Sequence, residues 1–110
     1  MDRKTLSRLE ARAKIIKAIA HPTRLFIVEK LQQKEYCVCE LTEMIGADVS
    51  TVSKHLSLLK EAGIVETRRE NNKIYYSLKT KCILKFMSCV ESVLEASFKK
   101  QASIIGRKTK

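Results

Sequence analysis

Cys37 and Cys39 flank a single valine in EYCVCEL (Glu35–Leu41), within a chain that has four cysteines. Three kinds of chemistry are open to such a pair. A disulfide between them is disfavoured, because near neighbours rarely reach the required geometry without strain. As free thiols they can fill a core, where cysteine behaves as a small hydrophobe. As thiolates they can hold a soft metal ion. Two sulfurs are too few for that last role: trivalent arsenic or antimony prefers three in a pyramid, and cadmium or lead accepts three or four. The remaining candidates are Cys82 and Cys89. Residues seven apart share a helix face but lie roughly 10 Å apart along its axis. Sulfurs on one ion sit about 4 Å apart, since metal–sulfur bonds are about 2.3 Å long. Cys82 and Cys89 therefore cannot serve one ion together, although either can join Cys37 and Cys39, from the same chain or a second copy.

The pair itself raises a geometric difficulty. Helical residues at i and i+2 point about 200° apart. For both sulfurs to reach one ion, the backbone at Cys37 must be extended or must unwind at the helix start. That unwinding is an obvious switch.

A second group of residues suits contact with a polyanion. DVSTVSKHL (Asp48–Leu56) puts short polar side chains and a lysine at the start of a helix: Ser50, Thr51, Ser53, Lys54 and His55. Such groups reach base edges and phosphates, though His55 can equally be a packed, hydrogen-bonded residue. A turn further on carries Arg68, Arg69, Asn71, Asn72 and Lys73, which suit phosphate or minor-groove contact.

The elements that position these residues follow from periodicity. Leu6, Leu9, Ala13, Ile16 and Ala20 form one apolar stripe on a basic helix over about 3–20. Pro22 suits the first turn of a second helix, which Leu25, Phe26, Ile27, Val28 and Leu31 make apolar over most of its surface. A short helix from Val38 to Ile45 ends at Gly46, and Asp48 is the N-cap of the next, through about Glu61. Two helices joined by three residues form a helix-turn-helix over about 38–62. The period then drops to two: Ile64–Arg69 and Ile74–Leu78 are strands joined around ENNK, a wing over about 64–78. Thr80 can cap a last helix through about Ser103, with Ile83, Phe86, Met87, Val90, Val93, Leu94 and Phe98 as its apolar side. The expected fold is mainly α with a β-hairpin (α+β), a winged helix-turn-helix in the order four helices, two strands, one helix. The apolar faces of the first and last helices exceed what so small a core can cover, so a two-fold homodimer through them is expected.

Composition narrows the function. The 110 residues suit a single domain, 1–110, and the charge of +10 with a pI near 9.7 points to nucleic acid or an acidic membrane surface. No apolar run approaches the ~18 residues of a membrane span, and the charged N-terminus is no signal peptide. A cytoplasmic protein with reduced thiols is expected. Enzyme chemistry has no basis here. There is no Cys-x-x-Cys, no Ser/His/Asp or Cys/His arrangement with a plausible partner, and no Gly-rich phosphate loop.

AHPTRLFIVEKL (Ala20–Leu31), CVCEL (Cys37–Leu41) and STVSKHLSLLKEAGIVETRRENNKIYYSL (Ser50–Leu78) together resemble, in order and spacing, the ArsR/SmtB family of metal-responsive repressors. The resemblance covers about residues 10–95. It implies a homodimeric winged-helix repressor of metal-resistance operons, paired through its first and last helices, that releases operator DNA when metal binds. CVC resembles the arsenic- and cadmium-sensing branch, which implies ligand roles for the Cys37 and Cys39 thiolates and arsenite, antimonite, cadmium or lead as inducer. No cofactor is implied. There are departures. Asp48-Val49 stands where relatives often carry Ser-Gln, which bears on operator sequence. The last helix lacks the histidines of the zinc and nickel branch, since the histidines are His21 and His55. A second reading keeps the fold and changes the signal: a reversible disulfide or polysulfide link between Cys37 or Cys39 and Cys82 or Cys89.

Overall fold

Local capping decides where the helices begin and end. In the computed structural model, which describes the backbone of residues 1–109 and the side chains of 1–101, Asp2 caps α1 (Arg3–Ile19) by accepting the Thr5 N–H at 2.7 Å. Pro22 stands at the first position of α2 (Pro22–Gln33), where a missing N–H costs nothing. The cap before it is His21, whose ring Nδ1 accepts the Thr23 N–H at 3.1 Å. α3 (Val38–Ile45) stops at Gly46, whose φ of 78° lies in the left-handed region that a side chain disfavours. Asp48 then caps α4 (Val49–Glu61) by accepting the Thr51 N–H at 2.7 Å. Both members of the helix-turn-helix thus have the bounds their capping residues predict.

The sheet holds one strand more than the hairpin that periodicity predicts. β2 (Val65–Glu70) and β3 (Lys73–Leu78) form the wing, joined by Asn71 and Asn72 at φ of 51° and 64°. Positive φ at both turn residues matches the twist of the strands, and asparagine tolerates it well. β1 (Tyr36–Cys37) adds to the other side of β3, giving the antiparallel order β1-β3-β2. Its register is Tyr36 opposite Tyr76 and Cys37 opposite Tyr75. Two residues are too few to show an alternation, so this strand is invisible to a periodicity argument.

The core lies beneath the helix-turn-helix. Ile27 and Val28 from α2, Leu41 from α3, and Val52, Leu56 and Leu59 from α4 have no exposed surface. Ile64, Val65 and Leu78 close it at the base of the wing. Burying each such Leu or Ile contributes about 1.5–3 kcal/mol. The expected stripe on α1 does not join this core: Leu6, Leu9, Ala13, Ile16 and Ala20 are exposed, and Ile19 is the α1 residue that is buried. α2 is buried through Ile27, Val28 and Leu31, while Leu25 stays exposed.

The residues up to Thr80 form one compact unit and those from Lys81 a second. The second is built on α5 (Ile83–Thr109), longer than the helix to Ser103 that the sequence suggests, since no proline interrupts it. Phe86, Val90, Val93, Leu94 and Phe98 are exposed on it. Thr80 does not cap this helix. Its hydroxyl donates to the Gly63 carbonyl at 2.8 Å, which ties the end of the wing back to the end of α4. No helix among the described residues is long and apolar enough to cross a membrane.

Candidate nucleic-acid interface and thiol site

The start of α4 is organised by its cap. Asp48 accepts the Thr51 N–H at 2.7 Å and the Ser50 hydroxyl at 3.0 Å, and these bonds, the Thr51 one foremost, hold its carboxyl below the usual carboxylate range. Ser50 has spent its proton on Asp48, so toward a ligand its oxygen acts as an acceptor. Ser50, Thr51 and Lys54 are exposed and Ser53 is half-buried. The inward side of the same turns carries Val52 and Leu56, so the helix presents a polar edge on a fixed apolar base.

His55 stands apart from that edge. It is half-buried, its ring centroid is 4.5 Å from that of His21, and its Nδ1 is 3.3 Å from Nη1 of Arg24. Burial, reinforced by the nearby charges of His21 and Arg24, lowers its pKa from the ordinary histidine value. Of the two roles open to His55, the structure supplies the contacts of the packed one, as a bridge from α4 to the start of α2.

The wing's basic residues divide in the same way. Arg68 lies opposite Tyr75 in the sheet, with its guanidinium 4.8 Å from that ring's centroid. Its Nε donates to both carboxylate oxygens of Glu35, at 2.9 and 3.0 Å, and its Nη2 lies 2.9 Å from Glu35 Oε1. Nη1 pairs with Glu70. The two carboxylates, Glu35 foremost, raise the Arg68 pKa above its ordinary value. Arg68, expected among the DNA-contacting groups, is paired with two carboxylates of its own chain. Arg69, Asn71, Asn72 and Lys73 stay exposed at the tip, and no hydrogen-bond or ion-pair partner of the Arg69 or Lys73 side chain occurs among the described residues. The Glu35–Arg68 pair joins residues 33 apart in the chain, and no local signal reveals it.

The thiols occupy contrasting positions. Cys37 is buried, at 3% exposure, and is both the last residue of β1 and the N-cap of α3, with φ −84° and ψ 165°. Its N–H donates to Glu40 Oε1 at 3.0 Å, a bond that holds the Glu40 carboxyl below its ordinary range. Cys39, one residue into the helix, is exposed. The backbone at Cys37 is extended, which is one of the two conditions that the CVC spacing sets for a shared ion. Two soft donors on one short segment fit a thiophilic ion in part. Among the described residues no group of three or more Cys, His, Asp or Glu is gathered to hold a metal. Cys82 and Cys89, in the second unit, are exposed.

A family model described as bacterial regulatory protein, arsR family, matches residues 21–67, from the His21 cap to the first strand of the wing. A biofilm growth-associated repressor of Xylella fastidiosa is 44% identical over 66 residues, covering 60% of this chain and 58% of that protein. A CadC homologue of Staphylococcus aureus, a cadmium resistance transcriptional regulatory protein, is 42% identical over 67 residues, covering 60% and 55%. The chain thus spans little more than half the length of these two relatives. The crystal structure of NolR from Sinorhizobium fredii superposes with a TM-score of 0.79 at 30% identity, over 84% of this chain and 93% of that one. A homodimeric winged helix-turn-helix DNA-binding domain from Mycobacterium bovis superposes at 0.77 and 28% identity, over 90% and 92%. With a shared identity of 30% across nearly all of the NolR chain, and with the family's pattern running through its helix-turn-helix, this chain belongs to the arsR family of bacterial regulatory proteins.

Proposed function

We propose that the protein is a transcriptional repressor that grips operator DNA as a homodimer and lets go when a thiophilic ion occupies its CVC thiolates. The observation that carries this reading is the place of Cys37: it is at once the cap of the helix-turn-helix and a residue of the wing's sheet. An ion there acts on both DNA-facing elements. Ser50, Thr51, Ser53 and Lys54 on α4 read the major groove, and Arg69, Asn71, Asn72 and Lys73 at the wing hold the backbone or minor groove. The charge of +10 per chain, doubled in a dimer, makes binding steeply salt-dependent. The exposed apolar residues of α1 and α5 support pairing through those helices, and the Mycobacterium bovis relative is homodimeric. A cytoplasmic setting would keep the thiols reduced.

Arsenite, antimonite, cadmium and lead are the effectors that thiolate donors favour, and the cadmium-resistance name of one relative supports this class. Cys37 and Cys39 are the first two ligands. A third must be a further thiolate, for which Cys82 and Cys89, of this chain or of a partner copy, are the candidates in the sequence. The chain's own part is to lose order at the head of α3: when Cys37 swings toward a shared ion, its N–H leaves Glu40 and the helix start loosens beneath the reading head.

The test is operator binding by the reduced protein with arsenite, cadmium or an oxidant added, on the wild type and each Cys→Ser variant. Cadmium or arsenite should release the wild type and leave Cys37→Ser and Cys39→Ser bound. Tight arsenite binding by the double variant, or a loaded dimer that keeps its grip, overturns the reading. Release by oxidant alone transfers the signal to thiol oxidation between the CVC pair and Cys82 or Cys89.

A further inference from the structure

The segment before α3 and the wing close on each other in a ring of contacts. Glu35, Tyr36 and Cys37 are consecutive; Cys37 pairs across the sheet with Tyr75. Tyr75 pairs in turn with Arg68 and lies under its guanidinium. Arg68 returns to Glu35 through three contacts of 2.9–3.0 Å. The ring therefore runs from the Cys37 backbone to the wing and back without passing through α3 or α4.

The two thiols approach an ion differently. Cys39 is open to solvent, whereas Cys37 is covered. Sulfurs on one ion must come within about 4 Å of each other. Cys37 is itself a residue of β1, so an ion first caught by Cys39 can recruit Cys37 only if that strand shifts. β1 is two residues long, held by its pairing with β3, by the burial of Cys37 and by the Cys37 N–H bond to Glu40, and the Glu35–Arg68 pair is its outer fastening.

We propose that β1 is a latch, fastened by Arg68, whose release on occupation of Cys37 frees the wing. Arg68 is then a positioning residue that sets where Arg69 and Lys73 meet the duplex, and it is not itself a DNA contact. The effector's identity rests on the function proposed above; the latch itself does not. Opening the latch removes the third strand from the wing and the carboxylate anchor from Arg68. Because coupling is reciprocal, whatever loosens the latch must both weaken DNA binding of the empty protein and tighten ion binding.

The chain supplies its own reporter. It has three tyrosines and no tryptophan. All three, Tyr36, Tyr75 and Tyr76, lie in the β1–β3 pairing, so tyrosine emission and near-ultraviolet dichroism report on this joint.

The experiment uses the full reduced chain, its Glu35→Gln and Arg68→Lys variants, and a duplex selected from a random library by the wild type. Without any ion, iodoacetamide should modify Cys39 well before Cys37, and Glu35→Gln should speed Cys37 modification roughly three- to tenfold. Cadmium titration should change the wild-type tyrosine signal in step with release from the duplex. The ratio of loaded to empty Kd, within the usual range of about 5–150-fold for the wild type, should shrink in Glu35→Gln while cadmium binds that variant more tightly. Arg68→Lys, which keeps the charge but loses the two-pronged grip, should fall between. A variant that merely folded less well would not gain cadmium affinity. An unchanged Cys37 modification rate in Glu35→Gln overturns the latch. So does wild-type release with no tyrosine change, or equal release by wild type and variants, and in both cases the metal reading stands. If instead neither cadmium nor arsenite releases the wild type, the effector assignment fails, and the ion-free Cys37 rate still judges the latch.

Discussion

The recognition helix and the wing are attached to this molecule in different ways. α4 is bolted down by Val52, Leu56 and Leu59, which have no exposed surface, and its first turn is locked by Asp48. The wing is buried only where it starts and ends, at Val65 and Leu78. Beyond that it is held by strand pairing and by the surface contacts of Arg68. Exposed ion pairs are weak and sensitive to salt. Tilting α4 therefore means reopening a core, whereas moving the wing means rearranging a surface. An ion of the proposed kind at Cys37 would meet less resistance in the wing than in α4.

The largest effect expected from this contrast concerns stability. Leu56→Ala should cost about 2–5 kcal/mol, because it opens a cavity where nothing can collapse cheaply. In a domain whose whole stability is of the order of 5–15 kcal/mol, urea unfolding should show a midpoint well below that of wild type. Ile74→Ala, on the exposed part of the wing, should stay within about 0.5 kcal/mol. Equal losses at the two sites would erase the distinction.

Next comes DNA affinity, read as a salt slope. Lys54→Ala and Arg69→Ala should each weaken operator binding by roughly tenfold or more and flatten the plot of log Kd against log salt by about two, one contact per protomer. Arg68→Ala should leave that slope as it is, whatever it does to affinity. An equal flattening by Arg68→Ala would make it a phosphate contact after all.

How much of this was legible in the sequence depends on how local each cause is. Gly46 and Asp48 act on their own neighbours, so the bounds of α3 and α4 follow from reading the chain in order. Asn71 and Asn72 mark the hairpin for the same reason. β1 escapes because two residues cannot display a period, and it exists only through β3, some forty positions later. Arg68 reads as one more cation in a basic wing until Glu35 is brought beside it by folding. Thr80 has the residue type of a cap, but the Gly63 carbonyl competes successfully for its hydroxyl. The CVC pair was legible as two neighbouring thiols, whereas the burial of Cys37 and the exposure of Cys39 depend on how β1 meets β3.

A smaller effect tests the rigidity of the turn inside the helix-turn-helix. Gly46→Ala should cost roughly 1–2 kcal/mol, since a Cβ at φ 78° strains the backbone. There is open space around that position, so the loss is conformational and not steric. Thermal melting of the variant measures it, and an unchanged melting temperature would show that the turn relaxes freely.

The smallest effect locates a soft point on the bolted side. His55 joins α4 to α2 through His21 and Arg24, and Nε of Arg24 is buried with no hydrogen-bond partner among the described residues. Burial first, and the two neighbouring charges second, disfavour a proton on His55, so its pKa in the folded chain lies below the ordinary 6.5. In the unfolded chain nothing opposes that proton. As pH falls through 6.5, the unfolded state binds it first, and stability drops until the folded His55 is protonated too. The lowered carboxyls of Asp48 and Glu40 act in the same direction, but from below ordinary values of 3.8 and 4.5. Melts compared at about pH 7.5 and 5.5 therefore separate the His55 contribution from that of the carboxylates. The wild type should melt lower at the acid pH, and His55→Gln should lose that part of the difference. If His55→Gln keeps the full slope, the proton is being resisted elsewhere, and the contact between α2 and α4 is less confined than its geometry implies.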